Sequence, residues 1–489
     1  MFTIFLWSVL LPTTKNDAQK AMTEKSIRRK ISKITPIIGL QWGDEGKGKF
    51  IDFLVTSLSK KHKLLVARFG GGSNAGHSIF WRDKQIVFHV VPSGILEKDT
   101  HNLIGAGVNI DVVSLKKEIE EIKSFVPWWH GNLFVAREAS IVVPTAKLIE
   151  GVEKNRRGFG NIGTTGKGIG PTYSDFYGRT DDLAVYEIEN KEFFKKRYND
   201  IKTSHLKTLS GKYNAPVNKK ELAKAEEVFF EGINFLRTLN IVSCHSFLAS
   251  ARKNGRQIIA EGAQGSLLDV RFGTRFDVTS SHTTSAGVCT GLGVPPSLIG
   301  NIIGVFKAYA TRVGNGPMPT EIGGRKSFEW ASTRKRIDEE NLSYVVNDKN
   351  SLHQGIALRA IGKEYGATTG RLRRVGWLDL PLLKYAIALS GVTHLGITKM
   401  DILDDFKQIL VCVSYKDSRY IDMNKLDKVK PVYKIFPGWK KNTRGCTSFE
   451  DLPQKAKTYL KFIEKELGIP IAFISTGQER SEMINMKKF

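Results

Sequence analysis

The sequence predicts an α/β fold: a mainly parallel central sheet flanked by helices, P-loop-like where its first strand meets its first helix, with inserted subdomains. Three observations carry this expectation. Short β-branched runs alternate with stretches of helical spacing along the chain. The first run passes into a Gly-rich loop that opens a helix. Later runs also end in loops rich in glycine and polar residues, and ligands of such sheets gather at the strands' carboxyl ends.

In chain order, "ITPIIGL" (34–40) reads as a buried strand, and Asp44 to Ser59 has helical spacing. "LLVARFGG" (64–71) is the next strand, followed by "HNLIGAGVNI" (101–110), "RQIIAEGAQGSLLDV" (256–270), "IGNIIGVFKAYATRVG" (299–314) and "VTHLGITKMDIL" (392–403). Helices are expected over 111–125 and 218–239. Polar segments 200–217 and 324–352 read as surface insertions. No repeat, low-complexity block or linker divides the chain, so residues 36–489 are expected to form a single catalytic domain.

Of the 489 residues, 41% are hydrophobic and 25% charged, ordinary for a globular chain with a sizeable core. Net charge is +25, and residues 1–35 hold seven Lys/Arg against two acids, which leaves about +20 on the remainder. Such a field favours anionic partners without choosing among them. The four cysteines form no C-x-x-C pair, which argues against a zinc site or a disulfide framework and fits a reducing compartment. "FTIFLWSVLLP" is too short to span a bilayer and lacks a preceding basic residue. Residues 1–35 are an N-terminal extension: a disordered tail, a presequence, or residues upstream of a true start at Met22. A cytoplasmic location is expected, with organellar targeting by this extension left open.

Five constellations carry chemistry. In "IGLQWGDEGKGKF" (38–50), Gly43, Gly46 and Gly48 allow backbone N–H groups to converge on an anion at a helix N-terminus, and Lys47 and Lys49 add charge. Phe50 stands where a phosphate loop carries its magnesium-binding hydroxyl, and two acids, Asp44 and Glu45, sit inside the cradle. A carboxylate is tolerable there if it binds a metal between itself and the phosphate, or removes a proton from the substrate. "RFGGGSNAGHSI" (68–79) presents Asn74, His77 and Ser78 on a Gly-freed loop, where a histidine can donate to a departing phosphate oxygen. "GFGNIGTTGKGIGP" (158–171) places six glycines around Thr164, Thr165 and Lys167, an anion-contacting pattern. "ATTGRLRRVGWLD" (367–379) sets Arg371 and Arg373 after Thr-Thr-Gly, and guanidinium groups suit carboxylate or phosphate. Thr398-Lys399-Met400-Asp401 ends a strand with an acid able to accept N1–H and the 2-amino group of guanine; adenine lacks both, so the motif hints at GTP.

Together with "QWGDEGKGK", "NAGH", "IGTTGKGIGP", "EGAQGSLLD", "VTSSHTT", "KAYATRVGNGPMPTE", "ATTGRLRR", "GWLD", "ITKMD", "PGW" and "ISTG", in order over 36–489, the chain resembles the adenylosuccinate synthetase family. The resemblance implies a ligase that joins IMP to L-aspartate with GTP and one Mg²⁺ per subunit through a 6-phosphoryl-IMP intermediate, in purine and AMP biosynthesis. It implies Asp44 as the base at N1 of IMP and His77 as the general acid, with Asp44 and the backbone oxygen of Gly76 on the metal. The IMP site would be Asp44, Glu45, Gly46, Lys47, Asn74, Ala75, Gly76, His77, Thr165, Gln264, Thr279 and Arg371, joined by Arg179 of the other subunit in a homodimer. Aspartate would meet Ala367, Thr368, Thr369, Gly370, Arg371, Leu372 and Arg373. GTP would use Gly43 to Lys49 (Gly43, Asp44, Glu45, Gly46, Lys47, Gly48, Lys49), Gly76, His77, Ser78, Arg373, Lys399, Met400, Asp401, Ser475, Thr476 and Gly477. Ser78 stands where the family usually has Thr, and Leu372 interrupts its run of four arginines. No nucleic-acid or membrane partner is expected. A regulatory GTPase is disfavoured by Phe50, and a basic nucleic-acid-binding protein by the lack of an aromatic-interleaved basic module.

Overall fold

In the computed structural model, the described residues are 33–82, 84–156, 165–332, 346–366, 372–416 and 420–486. One ten-stranded sheet forms the body: β1 (Ile34–Gly39), β2 (Leu64–Arg68), β3 (Thr100–Ile104), β4 (Leu133–Ala136), β5 (Asn240–Val242), β6 (Gln257–Glu261), β7 (Ile303–Lys307), β8 (His394–Thr398), β9 (Ile471–Ser475) and β10 (Met483–Asn485). Their spatial order is β5-β4-β3-β2-β6-β1-β7-β8-β9-β10, and every pairing is parallel except that of β9 with β10. β1 is central, with Ile37 opposite Glu261 on one side and Ile303 on the other. The loop that follows β1 therefore leaves the sheet at its middle, among the carboxyl ends of the neighbouring strands, where an open parallel sheet binds its ligands.

The strand residues alternate between two apolar layers. Ile37, Val66, Ile259, Ile303, Val305 and Phe473 pack against Phe50, Ile51, Leu54 and Val55 of helix α1 (Lys47–Ser59). Ile38, Leu65, Ala67, Ile258 and Ala260 face the larger core on the other side. Parallel strands covered on both faces read as continuous apolar runs, which is why they were visible in the sequence. Among the described residues no helix is long and apolar enough to cross a membrane.

Two expectations need correction. Helix α1 begins at Lys47 rather than Asp44, because Gly43, Asp44 and Gly46 take φ of +88°, +59° and +91°, outside helical backbone. Residues 200–217 are not wholly surface: residues 200–211 end a helix, Lys191–Gly211, that buries Phe194, Tyr198, Ile201, His205 and Leu209 at helical spacing. Its charged outer face masked that stripe. Part of 324–352 forms the helix Gly324–Ser332, and residues 333–345 lie outside the described residues.

Phe50 explains the missing hydroxyl. Its ring is fully buried, meets Phe473 edge-on at 4.9 Å between centroids, and lies so close to Gly396 that a Cβ there would stand 2.6 Å from it. The position is used to bind α1 to the sheet. Phe50→Ser, which would restore the usual hydroxyl, is expected to lower the unfolding free energy by about 3–5 kcal/mol in a chemical denaturation curve; a loss below about 1 kcal/mol would show that the ring does not anchor the helix.

Candidate functional site

A cavity of about 890 Å³ opens at the carboxyl ends of the central strands. Its walls hold the phosphate loop from Trp42 to Lys49, the segment Asn74–Ser78, Gln264, Thr279 and Arg373, with Thr165, Lys399, Ser475 and Gly477. All five sequence constellations therefore converge on it through described residues, the arginine-rich one through Arg373 alone.

The two acids of the loop divide their roles. Glu45 is fully buried; one carboxylate oxygen accepts the backbone N–H of Gln41 at 3.1 Å and of Gly43 at 2.9 Å, and the other meets Lys47 Nζ at 2.6 Å. A Cβ at Gly39 or Gly265 would strike that carboxylate, so both glycines make room for it. Glu45 thus serves as an internal anion that folds the loop, and its side chain is committed away from ligands. Asp44 is different: 28% of its side chain is exposed, and Arg373 Nε donates to its Oδ2 at 2.7 Å. Burial would raise the Asp44 pKa, but the positive charges of Arg373, Lys307 and Lys47 outweigh it and hold the carboxyl below its usual range.

His77 lies against the helix start; a Cβ at Gly48 would stand 2.8 Å from its own Cβ. Its Nδ1 hydrogen-bonds Glu261 Oε1 at the end of β6, and Glu261 also accepts Ser93 N–H at 2.8 Å and Ser93 Oγ–H at 2.7 Å. A carboxylate at Nδ1 fixes the ring and leaves Nε2 for a ligand. Burial lowers the His77 pKa and outweighs the opposing influence of Glu261.

Around the other wall, Asn74 Nδ2 donates to Thr279 Oγ1 at 3.4 Å, and Asn74 Oδ1 accepts Gly72 N–H at 3.1 Å. Gln264 is beside them, at φ +54°, and both its side-chain polar atoms are buried with no hydrogen-bond partner among the described residues. A buried amide with all its capacity unused is costly unless a ligand completes it. Asp401 Oδ1 is orphaned in the same way, and burial raises that carboxyl's pKa against Lys399 and Lys49.

Lys49 donates to Ser475 Oγ at 2.8 Å and to the carbonyl of Gly477 at 2.6 Å, tying the loop to the segment after β9, and burial brings its pKa down to about 8. Thr398 Oγ1 donates to Glu45 O at 2.7 Å, tying the loop to β8. Met400 packs its side chain into the apolar core, and Thr476, also buried, donates its hydroxyl to the carbonyl of Cys446 at 2.9 Å, so both leave their backbone for a ligand. Arg179 caps the helix Ile169–Gly178 at φ +57°, is exposed, and stands outside the cavity of its own chain. Ala367, Thr368, Thr369, Gly370 and Arg371 lie outside the described residues, so of the expected aspartate loop only Leu372, which is buried, and Arg373 are placed.

Sequence reasoning missed the supporting carboxylates. Glu261 opens a quoted motif but was given no role, and Glu364, which accepts Arg373 Nη1 at 2.6 Å and Lys307 Nζ at 2.9 Å, was not singled out. A signal existed: "QIIAE" and "IGVFK" each end an apolar central strand on a charge, and both charges are buried.

The carboxylate and the carbonyl oxygens at the loop suit Mg²⁺, a hard cation taking oxygen ligands: Arg373 engages one oxygen of Asp44, which leaves Oδ1 as a candidate ligand with the backbone oxygen of Gly76. A family model described as "Adenylosuccinate synthetase" matches residues 36–484. Adenylosuccinate synthetase of Flavobacterium johnsoniae is 41% identical over 453 residues, covering 92% of this chain and 98% of that one. That of Porphyromonas gingivalis is 40% identical over 458 residues, covering 93% and 99%. The structure of the fully ligated enzyme from Plasmodium falciparum superposes with a TM-score of 0.79 at 33% identity, over 93% of this chain and 100% of that chain.

The division between the two acids is measurable. Glu45→Ala, which strands Lys47 and two backbone donors, is expected to cost about 3–5 kcal/mol of stability. Asp44→Asn, at a partly exposed position whose backbone Asn tolerates, should cost about 1 kcal/mol or less. Equal losses in denaturant melts would contradict the assignment.

Proposed function

The chain belongs to the adenylosuccinate synthetase family, and from that premise we propose how its residues divide the work. It is a GTP-dependent ligase that joins IMP to L-aspartate, giving adenylosuccinate, GDP and phosphate in purine nucleotide biosynthesis. The observation that carries our reading is Asp44: an acid inside a phosphate loop, open to the cavity and held ionised by cations.

Asp44 removes the N1 proton of IMP, so that electron density moves to O6 and O6 attacks the γ-phosphorus of GTP. GDP departs, and the aspartate amine then attacks C6 and expels phosphate, which leaves with the former O6. His77, its Nδ1 held by Glu261, presents Nε2 to the bridge between the β- and γ-phosphates, where charge builds as GDP leaves. Asp44 and the Gly76 carbonyl would hold Mg²⁺, which would supply neutralisation of phosphate charge when bound. Gln264, Asn74, Thr165 and Thr279 surround IMP, and the unused hydrogen-bonding capacity of Gln264 supports that placement. Asp401 reads guanine: its orphaned oxygen suits N1–H and the 2-amino group, which ATP lacks. Lys49 and the segment Ser475–Gly477 complete the GTP site, and Arg373, with the segment 367–371, takes the aspartate carboxylates.

We also propose a homodimer in which Arg179 completes the partner's IMP site. Phe176 and Tyr177, 46% and 62% exposed on the helix that ends at Arg179, are apolar side chains suited to a subunit contact. Residues 36–489 act as one catalytic domain, because the sheet takes strands from Ile34 through Asn485. We place the enzyme in the cytoplasm, in keeping with four unpaired cysteines.

Purified protein given IMP, aspartate, GTP and Mg²⁺ should show the ultraviolet change of adenylosuccinate formation, and a folded sample that shows none would defeat the reading. Asp44→Asn should lower kcat by about 10³-fold or more with its melting temperature kept; retained turnover would remove Asp44 as the base. Asp401→Asn should shrink the GTP-over-ATP preference by about 10²-fold, whereas an unchanged ratio would free Asp401 of guanine recognition.

A further inference from the structure

Behind the cavity lies a buried ionic cluster that lends charge to Asp44 through Lys307 and Arg373 but whose carboxylate, Glu364, has no part in the chemistry above. Lys307 ends β7, Tyr309 follows it, and Glu364 lies just past the helix Ser351–Ile361; all three are fully buried. The Glu364 carboxylate accepts Lys307 Nζ at 3.0 and 2.9 Å, Arg373 Nη1 at 2.6 Å, and the hydroxyl of Tyr309. Lys307 Nζ also donates to Thr311 Oγ1 at 2.8 Å. The main chain of Arg373 is held as well: its N–H donates to Glu364 O at 2.9 Å, its carbonyl accepts Arg359 Nε at 2.6 Å, and Tyr365 pairs with Leu372 in an antiparallel bridge. With main chain and Nη1 fixed, the Nε of Arg373 meets Asp44 Oδ2 at 2.7 Å.

Stability alone is a weak reason for this arrangement. Taking a lysine and a glutamate fully out of water costs several kcal/mol per ion, and apolar residues of like volume often serve a core as well or better. What the cluster supplies is geometry. A single guanidinium is held at a defined point between two carboxylates, one fully buried and one facing the cavity.

We infer that Glu364 is a positioning residue for ligation: from a depth no substrate reaches, it holds the guanidinium of Arg373 at the station where it meets Asp44. The inference rests on the reading of Asp44 as the base. It implies that loss of the Glu364 contact frees Arg373 to drift, so that the Asp44 carboxylate loses its orientation while the fold and the IMP pocket stay intact.

Glu364→Gln alone leaves Lys307 buried without its anion and tests stability as much as position. Two other variants separate these effects. Lys307→Met with Glu364→Gln removes both charges together, and Glu364→Asp keeps the charge but withdraws the carboxylate from Arg373 by one methylene. Both are expected to melt within about 3 °C of the wild type, to keep the KM for IMP within about threefold, and to lose about tenfold or more in kcat. A cluster that is merely structural would return kcat within about twofold of wild type in each folded variant, and that result would overturn the inference. Asp44→Asn in the same series separates the two readings. If it keeps turnover, the base assignment falls and takes the positioning role with it; if it is dead while both Glu364 variants are fully active, only the positioning role falls.

Discussion

The ion pair between Asp44 and Arg373 is the contact on which the account turns. Its two partners are 329 residues apart in the chain, one on the loop after the central strand and the other beyond the segment 367–371. A carboxylate placed among phosphate-binding donors must have a reason to stay ionised and a reason not to repel its ligand. Burial works against the first, and the cations Arg373, Lys307 and Lys47 overcome it. The second is met in the proposed reading, where a base facing a protonated ring nitrogen gains from its charge and the helix N-terminus is left to the phosphates.

The neighbouring acid shows how local the distinction is. Glu45 differs from Asp44 by one position and one methylene, yet it is turned into the loop and consumed by Gln41, Gly43 and Lys47. The lysine that a sequence reader assigns to phosphate is partly neutralised by that pair, at 2.6 Å. The loop thus carries its own counter-ion. Its shape is set by contacts within the chain, and it gives up the magnesium hydroxyl to pack Phe50 into the core. The contacts that hold Glu45 inside the loop leave Asp44 partly exposed beside it, on a backbone supported by the chain itself.

Much of this was legible in the sequence, for physical reasons. Strands β1, β2, β6, β7 and β8 are covered on both faces, so their apolar runs stand out. The loops at their ends need glycine and polar side chains, and Gly43, Asn74 and Asp401 stood out that way, whereas Gln264 came only through the resemblance to the family. Two kinds of information stayed hidden. Positive φ at Asp44 moved the helix start by three residues, and periodicity says nothing about it. The direction in which a side chain points was equally invisible: nothing in "DE" tells which acid faces the cavity. Partners supplied from far along the chain, such as Glu261 for His77 or Glu364 for Arg373, exist only once the strands are side by side.

In the proposed reading, a ring oxygen made nucleophilic by Asp44 takes the γ-phosphoryl group. IMP carrying heavy oxygen at O6 tests it most directly, because adenylosuccinate does not keep that atom. Mass analysis of the inorganic phosphate released during turnover should find the label transferred to it in step with product. Label appearing in water instead, with unlabelled phosphate, would contradict the account.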